Sequence, residues 1–323
     1  MLDRVGYHIS QGANQYPPMA GAPSLLQAIA EKVERHYGRQ ISPDTEVTVT
    51  SGATEALFDA ISSVVFPGDE VIVFDPSYDS YVPAIEMNGG KAVPVQLTPP
   101  LFRMDWDKAR AAITPRTRLM IFNSPHNPTG AVMDAEDIRQ LISLVEGTDI
   151  LLLSDDVYEH IVFDGRQHQS FVSHDALFER SFVVSSFGKT YHATGWKIGY
   201  CVAPPRLTTE FRKIHQYVTF TTPTPLQLAH VSAYGRTYST AELGAFYQQK
   251  RDRFNQAMQA SRFTCTPSAG TYFQLMDLQR HQRHAGCGVL RMADQSVGVT
   301  AIPVSCSASS HRPCGWCASA CQK

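Results

Sequence analysis

The chain has almost no charge bias: 28 lysines and arginines stand against 30 aspartates and glutamates, a net charge of -2. Without a basic surplus there is no electrostatic footprint for nucleic acid or for an acidic membrane surface. No apolar run approaches the ~20 residues that cross a bilayer, so no membrane partner is expected either. The opening MLDRVGYHISQG lacks the apolar stretch of a secretory signal. Cysteine is scarce through most of the chain: of the seven, Cys201 and Cys265 alone precede residue 280. A disulfide framework is therefore excluded for the bulk of the protein, and the expected compartment is the reducing cytoplasm.

A local absence says more. SSFGKTYHATGWKIGY (185–200) carries two lysines, Lys189 and Lys197, and no carboxylate. Lysines on a solvated face usually have acidic neighbours. Two bare cations among glycines, hydroxyls and aromatics raise the question of what they face.

What is present is a chain of 323 residues, 43% hydrophobic, long enough for a large core and more readily for two domains than one. Short apolar runs, EVTVT (46–50), EVIVFD (70–75), KAVPVQL (91–97), RLMIFN (118–123), DILLLSD (149–155) and SFVVSS (181–186), read as strands. Helical periodicity appears between several of them, as over 25–37 and 134–147. Continuous apolar strands alternating with helices predict an α/β fold, a mostly parallel sheet sandwiched by helices. The chain then turns helical from about Pro225 to Gln259, and FTCTPSAGTYFQLMDL predicts one or two strands of a smaller α+β domain. The expected division is 1–235 for the large domain and 236–323 for the small one.

In such sheets ligands bind beyond the carboxyl ends of the strands, and four ends stand out. Ser51-Gly52-Ala53-Thr54-Glu55 suits a phosphate at a helix N-terminus, although an ordinary helix cap has the same residues. SPHNPTG (124–130) offers Asn127 as a donor or as a turn former. Asp155 and Asp156, followed by Tyr158, end an apolar strand, where a carboxylate needs a cationic or hydrogen-bonding partner. The fourth end is the lysine stretch itself. Pyridoxal phosphate would use all four: a lysine amine, an acid for the ring nitrogen, a phosphate cradle with a cation, and an aromatic face.

SGATEA, PSYDSY, SPHNPTG, SDDVYE and SSFGKTYHATGWKIGY, in this order and spacing, resemble the fold-type I, class I/II aminotransferases dependent on pyridoxal phosphate. Within that family the likeness is to the methionine and kynurenine–oxoglutarate aminotransferase branch, over about Gln11 to Asp277. The resemblance implies that Lys189 bonds to the cofactor aldehyde and later moves the substrate α-proton. It implies that Lys197 and Ser186 meet the phosphate, cradled by Gly52, Ala53 and Thr54. The family spacing to Tyr158 selects Asp155 over Asp156 as the partner of the pyridine nitrogen. Tyr158 and Asn127 would bond the phenolic oxygen, and Tyr78 would stack on the ring. Tyr16, in NQYPPMAG, resembles the tyrosine that reaches the phosphate of a neighbouring subunit, which implies a homodimer. The implied reaction is transfer of an amino group from a methionine-like or aromatic amino acid to a 2-oxo acid, without a metal. A carbon–sulfur β-lyase on the same scaffold, and a non-catalytic product, are the rival readings.

The resemblance has gaps. An N-terminal segment bearing a substrate loop and part of a dimer arm is missing from the pattern. Family-like sequence stops at LQRHQRHAGCGVLRMADQ (278–295), returns at SVGVTAIPVS (296–305) and stops again in CSASSHRPCGWCASACQK. Out-of-frame translation would produce such an alternation. A metal site at Cys314, Cys317, Cys321 and His311 is the competing explanation. The arginine expected to hold the substrate carboxylate has no match in context, and Arg312 is not assigned that role.

Overall fold

The computed structural model describes residues 1–233, 240–261, 263–277, 295, 300–304 and 316–320. Its main sheet is built from β1 (Val47–Ser51), β2 (Glu70–Asp75), β3 (Lys91–Gln96), β4 (Thr117–Asn123), β5 (Leu151–Asp155), β6 (Ser181–Ser186) and β7 (Ile198–Val202). The order across the sheet is β1-β7-β6-β5-β4-β2-β3. β2 to β6 pair in parallel, whereas β7 runs antiparallel between β6 and β1. The six strands expected from the sequence are all present. β7 is additional, because IGYCV reads in the sequence only as the tail of the glycine-rich stretch. The placement has a simple cause: an antiparallel neighbour needs only a short connection, not a crossover helix. The stretch 187–197 is that connection, and it returns the chain to the carboxyl edge of β6. Pro94 is tolerated in β3 because β3 lies at the sheet edge.

Helices cover both faces. The first group is α1 (Leu2–Ser10), α2 (Pro23–Tyr37), α3 (Pro43–Glu46), α4 (Gly52–Val64), α5 (Tyr81–Met87) and α6 (Trp106–Ala112). The second is α7 (Ala135–Val145), α8 (Asp175–Phe178), α9 (Phe187–Thr190), α10 (Pro205–Val218), α11 (Thr224–Ala233) and α12 (Thr240–Met258). Side chains alternate through the sheet into two cores. Leu25, Ile29, Ile138 and Leu141 of α2 and α7 pack with Ile72, Met120 and Leu152 on one face. Leu57 and Ile61 of α4 and Phe211 of α10 pack with Val71, Val73, Ile121 and Leu153 on the other. That alternation explains why these strands read as continuous apolar runs: both of their faces are dry. Ends are set locally. Pro23 starts α2, and Gly38 at φ 71 ends it by donating to the Glu34 carbonyl. Asp134 and Asp137 form a reciprocal cap on α7.

A second sheet, of three strands, comprises β8 (Phe273–Asp277), β9 (Ile302–Pro303) and β10 (Trp316–Ala320), all antiparallel in the order β8-β10-β9. β8 coincides with the strand expected there. The expected division near 235 falls within 234–239, outside the described residues. So do the departures from the family pattern at 278–294 and 306–315, with Cys287, Cys306, His311, Arg312 and Cys314, and Cys321. Among the described residues no helix is long and apolar enough to cross a membrane.

Candidate functional site

Register brings the motifs together. Ser51 of β1 lies opposite Ile198, and Gly199 lies opposite Ser186, so the ends of β1 and β6 meet at the start of β7. Asn123 lies opposite Asp155 and Asp155 opposite Val184. A cavity of about 170 Å³ opens at this edge, and its walls include Gly52, Ala53, Thr54, Tyr78 and Asn127. Asp155, Tyr158, Ser186, Lys189 and Lys197 line it as well. Every residue that the family resemblance assigns to the cofactor lines this one cavity, except Tyr16. Tyr16 is 82% exposed and rests edge-on against Phe220, with ring centroids 5.6 Å apart.

One end of the cavity is made of donors. Gly52 opens α4 at φ +71, and a Cβ there would sit 3.1 Å from both Cε and Nζ of Lys197. Glycine suits the left-handed backbone, and a side chain there would push the Lys197 ammonium aside. The first N–H groups of a helix have no partner within it, so those of α4 face the cavity end together with the Thr54 hydroxyl. Lys197 Nζ lies 3.5 Å from Thr54 Oγ1. Its backbone is itself left-handed, at φ 54, a conformation that costs a non-glycine residue about 1–2 kcal/mol and that the short β6–β7 connection imposes. Hydroxyls, backbone N–H groups and an ammonium, with glycine where a side chain would block entry, form a donor set that fits a phosphate monoester.

The other end is acidic and aromatic. Asp155 is 4% exposed; its Oδ2 accepts from the Tyr81 hydroxyl at 2.6 Å and its Oδ1 from the Val157 N–H at 3.3 Å. Burial pushes its pKa up to about 6, with Asp156 adding to the rise, while the Tyr81 and Val157 donors and Lys189 oppose it. A carboxyl in such a place fits a protonated ring nitrogen, which would supply the missing counter-charge. Asp156 faces elsewhere: it accepts from Ser154 Oγ at 2.6 Å and Ser170 Oγ at 2.8 Å, and lies 3.0 Å from His168 Nε2.

Lys189 Nζ donates to the Tyr272 hydroxyl at 2.8 Å, between the rings of Tyr158 and Tyr272 at 5.7 and 5.4 Å. Burial, then Tyr272, raises the Tyr158 hydroxyl well above the ordinary tyrosine range, so it stays protonated and able to donate. The Asn127 N–H donates to Asn123 Oδ1 at 2.6 Å, and Asn123 Nδ2 donates to the Asp155 carbonyl at 2.8 Å. This ties two strand ends into one frame.

Tyr81, Tyr272 and Asn123 are site residues that the sequence reading misses. Tyr81 lies three residues after Tyr78 in PSYDSY, and that spacing was its one available signal. Tyr272 is 83 residues from Lys189 in sequence, and nothing local in GTYFQL marks it. Tyr81→Phe removes a donor to a buried carboxylate, a bond worth about 1.5–3 kcal/mol. We expect kcat/KM to fall about ten- to a hundredfold and the acid limb of its pH profile to move upward. An unmoved limb would show that Tyr81 does not tune Asp155.

Comparison with known proteins follows the same lines. The family model for aminotransferase class I and II matches residues 4–314, a span that runs through 278–295. The methionine aminotransferase of Escherichia coli (strain K12) is 48% identical over 306 residues, covering 94% of this chain and 79% of that protein. The kynurenine–oxoglutarate transaminase of Dictyostelium discoideum is 36% identical over 287 residues, covering 82% and 66%. Among solved structures, YbdL from Escherichia coli, a methionine aminotransferase, superposes with a TM-score of 0.97 at 45% identity, over 100% of this chain and 86% of its own.

Proposed function

The chain belongs to the class I and II aminotransferases, and on that footing we propose that it transfers the amino group of a methionine-like amino acid to a 2-oxo acid at the Lys189 cavity. Its cofactor is pyridoxal phosphate. When bound, the cofactor supplies an aldehyde that takes up an amine and a ring that accepts electrons. The remaining work falls to the protein. Lys189 Nζ, which donates to the Tyr272 hydroxyl, would be the amine that anchors the cofactor aldehyde and the base that moves the substrate α-proton. Asp155 would hold a proton on the pyridine nitrogen. Tyr158 and Asn127 would offer donors to its phenolic oxygen, and Tyr78 would supply an aromatic face. Gly52, Ala53, Thr54, Ser186 and Lys197 would hold the phosphate.

The observation that carries this reading is the convergence of five separate segments on one cavity with a donor end and an acid end. The methionine-like preference is supported by the 48% identity to the Escherichia coli enzyme; an aromatic donor is the related choice. A homodimer, with Tyr16 completing the neighbour's phosphate site, is supported by that ring's exposure outside its own cavity. The cytoplasm is the proposed compartment, supported by the free thiols of Cys201 and Cys265.

Loaded protein given methionine and 2-oxoglutarate is expected to form glutamate and the 2-oxo acid of methionine in equal amounts. Pyruvate and ammonia from a cysteine conjugate, without a new amino acid, would instead identify a lyase. Borohydride reduction followed by peptide mass mapping is expected to find the cofactor on Lys189. An adduct on Lys197 or Lys213 would overturn the assignment.

A further inference from the structure

Behind the phosphate cradle lies a second cluster that the chemistry above does not use. His215, in the last turn of α10, and Asp59 of α4 have fully buried side chains, and Glu55 of α4 is nearly so. His215 Nε2 lies 3.1 Å from the Met19 carbonyl oxygen, which can only accept, so this nitrogen carries a proton. Nδ1 lies 2.8 Å from Glu55 Oε1 and 3.6 Å from Asp59 Oδ2. One base between two acids in a dry setting holds the second proton too, and the ring is an imidazolium.

Its two bonds reach different parts of the site. Glu55 Oε2 accepts from the N–H of Ser51, the residue before Gly52, and so fixes the turn that forms the cradle. Met19 belongs to the segment 13–22 that carries Tyr16. Next to it, the Ala20 carbonyl accepts from the Val49 N–H of β1 at 2.8 Å, and the Ala22 N–H donates to Gln227 Oε1 at 2.7 Å. One imidazole ring thus joins the cradle to the 13–22 segment.

We propose that His215 is a positioning residue for phosphate binding, whose imidazolium locks the Ser51–Glu55 turn to the 13–22 segment. Filling the cradle and ordering that segment then favour each other, and the coupling is reciprocal. This inference rests on the reading of the cavity as a cofactor-phosphate site. Loss of the Nδ1 proton would leave Glu55 beside Asp59 with no positive partner; Glu55 would turn away and release the Ser51 N–H. Other titratable groups stand on the same helix and on the neighbouring strand. On α10 itself Arg212 is engaged by Thr48 Oγ1 at 3.0 Å and the Val47 carbonyl at 2.7 Å. From β7 comes Cys201, whose thiol is pushed up by burial and by Asp59. From the 13–22 segment the contact is the Met19 carbonyl.

The direction with pH follows. The two acids, against the opposing cost of burial, raise His215 to about 9. The lock is therefore complete below about pH 6.5 and is lost as pH rises through 9. Asp59, raised by burial to about 6, titrates below the alkaline range in which His215 loses its proton.

The test uses pyridoxine 5'-phosphate, which has no aldehyde and cannot bond to Lys189, titrated calorimetrically into cofactor-free protein between pH 7.5 and 10. The phosphate group is a dianion throughout, and loss of the proton on the ligand's ring nitrogen is common to all variants. Beyond the change set by the ring nitrogen, wild type is expected to lose about a further tenfold in affinity through pH 9. H215Q is expected to bind about tenfold more weakly at pH 7.5, on the scale of one charge-assisted hydrogen bond, and to lack that limb. Bound ester should slow amide exchange in residues 13–22 of wild type and not of H215Q. E55Q, which keeps the volume and removes one acid, should lose the limb as well and serves if H215Q does not fold. Unchanged affinity, limb and exchange coupling in the variants would overturn the inference alone. Failure of wild type to bind the ester would overturn the cofactor-site reading itself.

Discussion

Replacing Lys189 by alanine is expected to lower kcat/KM for an amino-acid donor by about 10⁴-fold or more, with little change in melting temperature. Proton transfer by a positioned side chain contributes up to ~10⁴-fold on its own, and the covalent anchor is lost with it. The stability expectation comes from position: Lys189 is half-buried in a four-residue helix, and its nitrogen bonds to Tyr272 across the cavity rather than within the core. Lys189→Arg should fail as well, because a guanidinium remains charged and cannot act as the base. Added methylamine should restore a measurable part of the alanine variant's proton transfer. A variant retaining more than about a hundredth of wild-type kcat/KM would remove Lys189 from the mechanism, since even single acid–base contributions usually exceed that factor.

The second large effect is on stability. Lys32 of α2 and Glu159 form an ion pair with both side chains 4% exposed. Glu159 also accepts from Tyr37, from Ser185 Oγ at 2.6 Å and from Tyr200 at 3.4 Å. Burial by itself would raise the Glu159 carboxyl, but Lys32, then His160 and the Ser185 hydroxyl, hold it far below the carboxylate range. Removing one partner strands a buried charge, which costs about 3–5 kcal/mol. Lys32→Met is expected to lower unfolding free energy by that amount in urea titrations. Replacing both residues by apolar ones should recover much of it. A folded-state pKa that is depressed means that the contribution is present above the unfolded value, near pH 4.5, and is lost only as pH falls toward the folded one. A loss of less than 1 kcal/mol in Lys32→Met would mean that water reaches the pair. Because Glu159 adjoins Tyr158 and Ser185 adjoins Ser186, the same variant should also weaken cofactor binding.

Much of the site is legible because its chemistry is carried by short motifs at strand ends. Apolar runs fix where strands stop, and the residue after each stop has one edge of the sheet to face. Asp155 was separable from Asp156 only through family spacing. The fold supplies the physical cause: side chains alternate along a strand, so neighbouring carboxylates point to opposite faces, one into the cavity and the other to Ser154, Ser170 and His168. The N-terminus of α4 and its glycine were likewise readable, but a cradle and an ordinary cap share those residues. Lys197 Nζ, 3.5 Å from Thr54 Oγ1, favours the cradle.

Long-range pairing remained closed to reading along the chain. β7 carries no strand signal strong enough to separate it from its glycine-rich approach, yet its antiparallel insertion between β1 and β6 is what turns Lys197 toward Gly52. Tyr272 meets Lys189, Lys32 meets Glu159, and His215 meets Glu55 and Met19 across separations that no helical or strand period encodes. Periodicity records which face of an element is dry. Which polar groups share a dry space is decided only when the elements pack, because burial makes each of them find a partner or carry a cost.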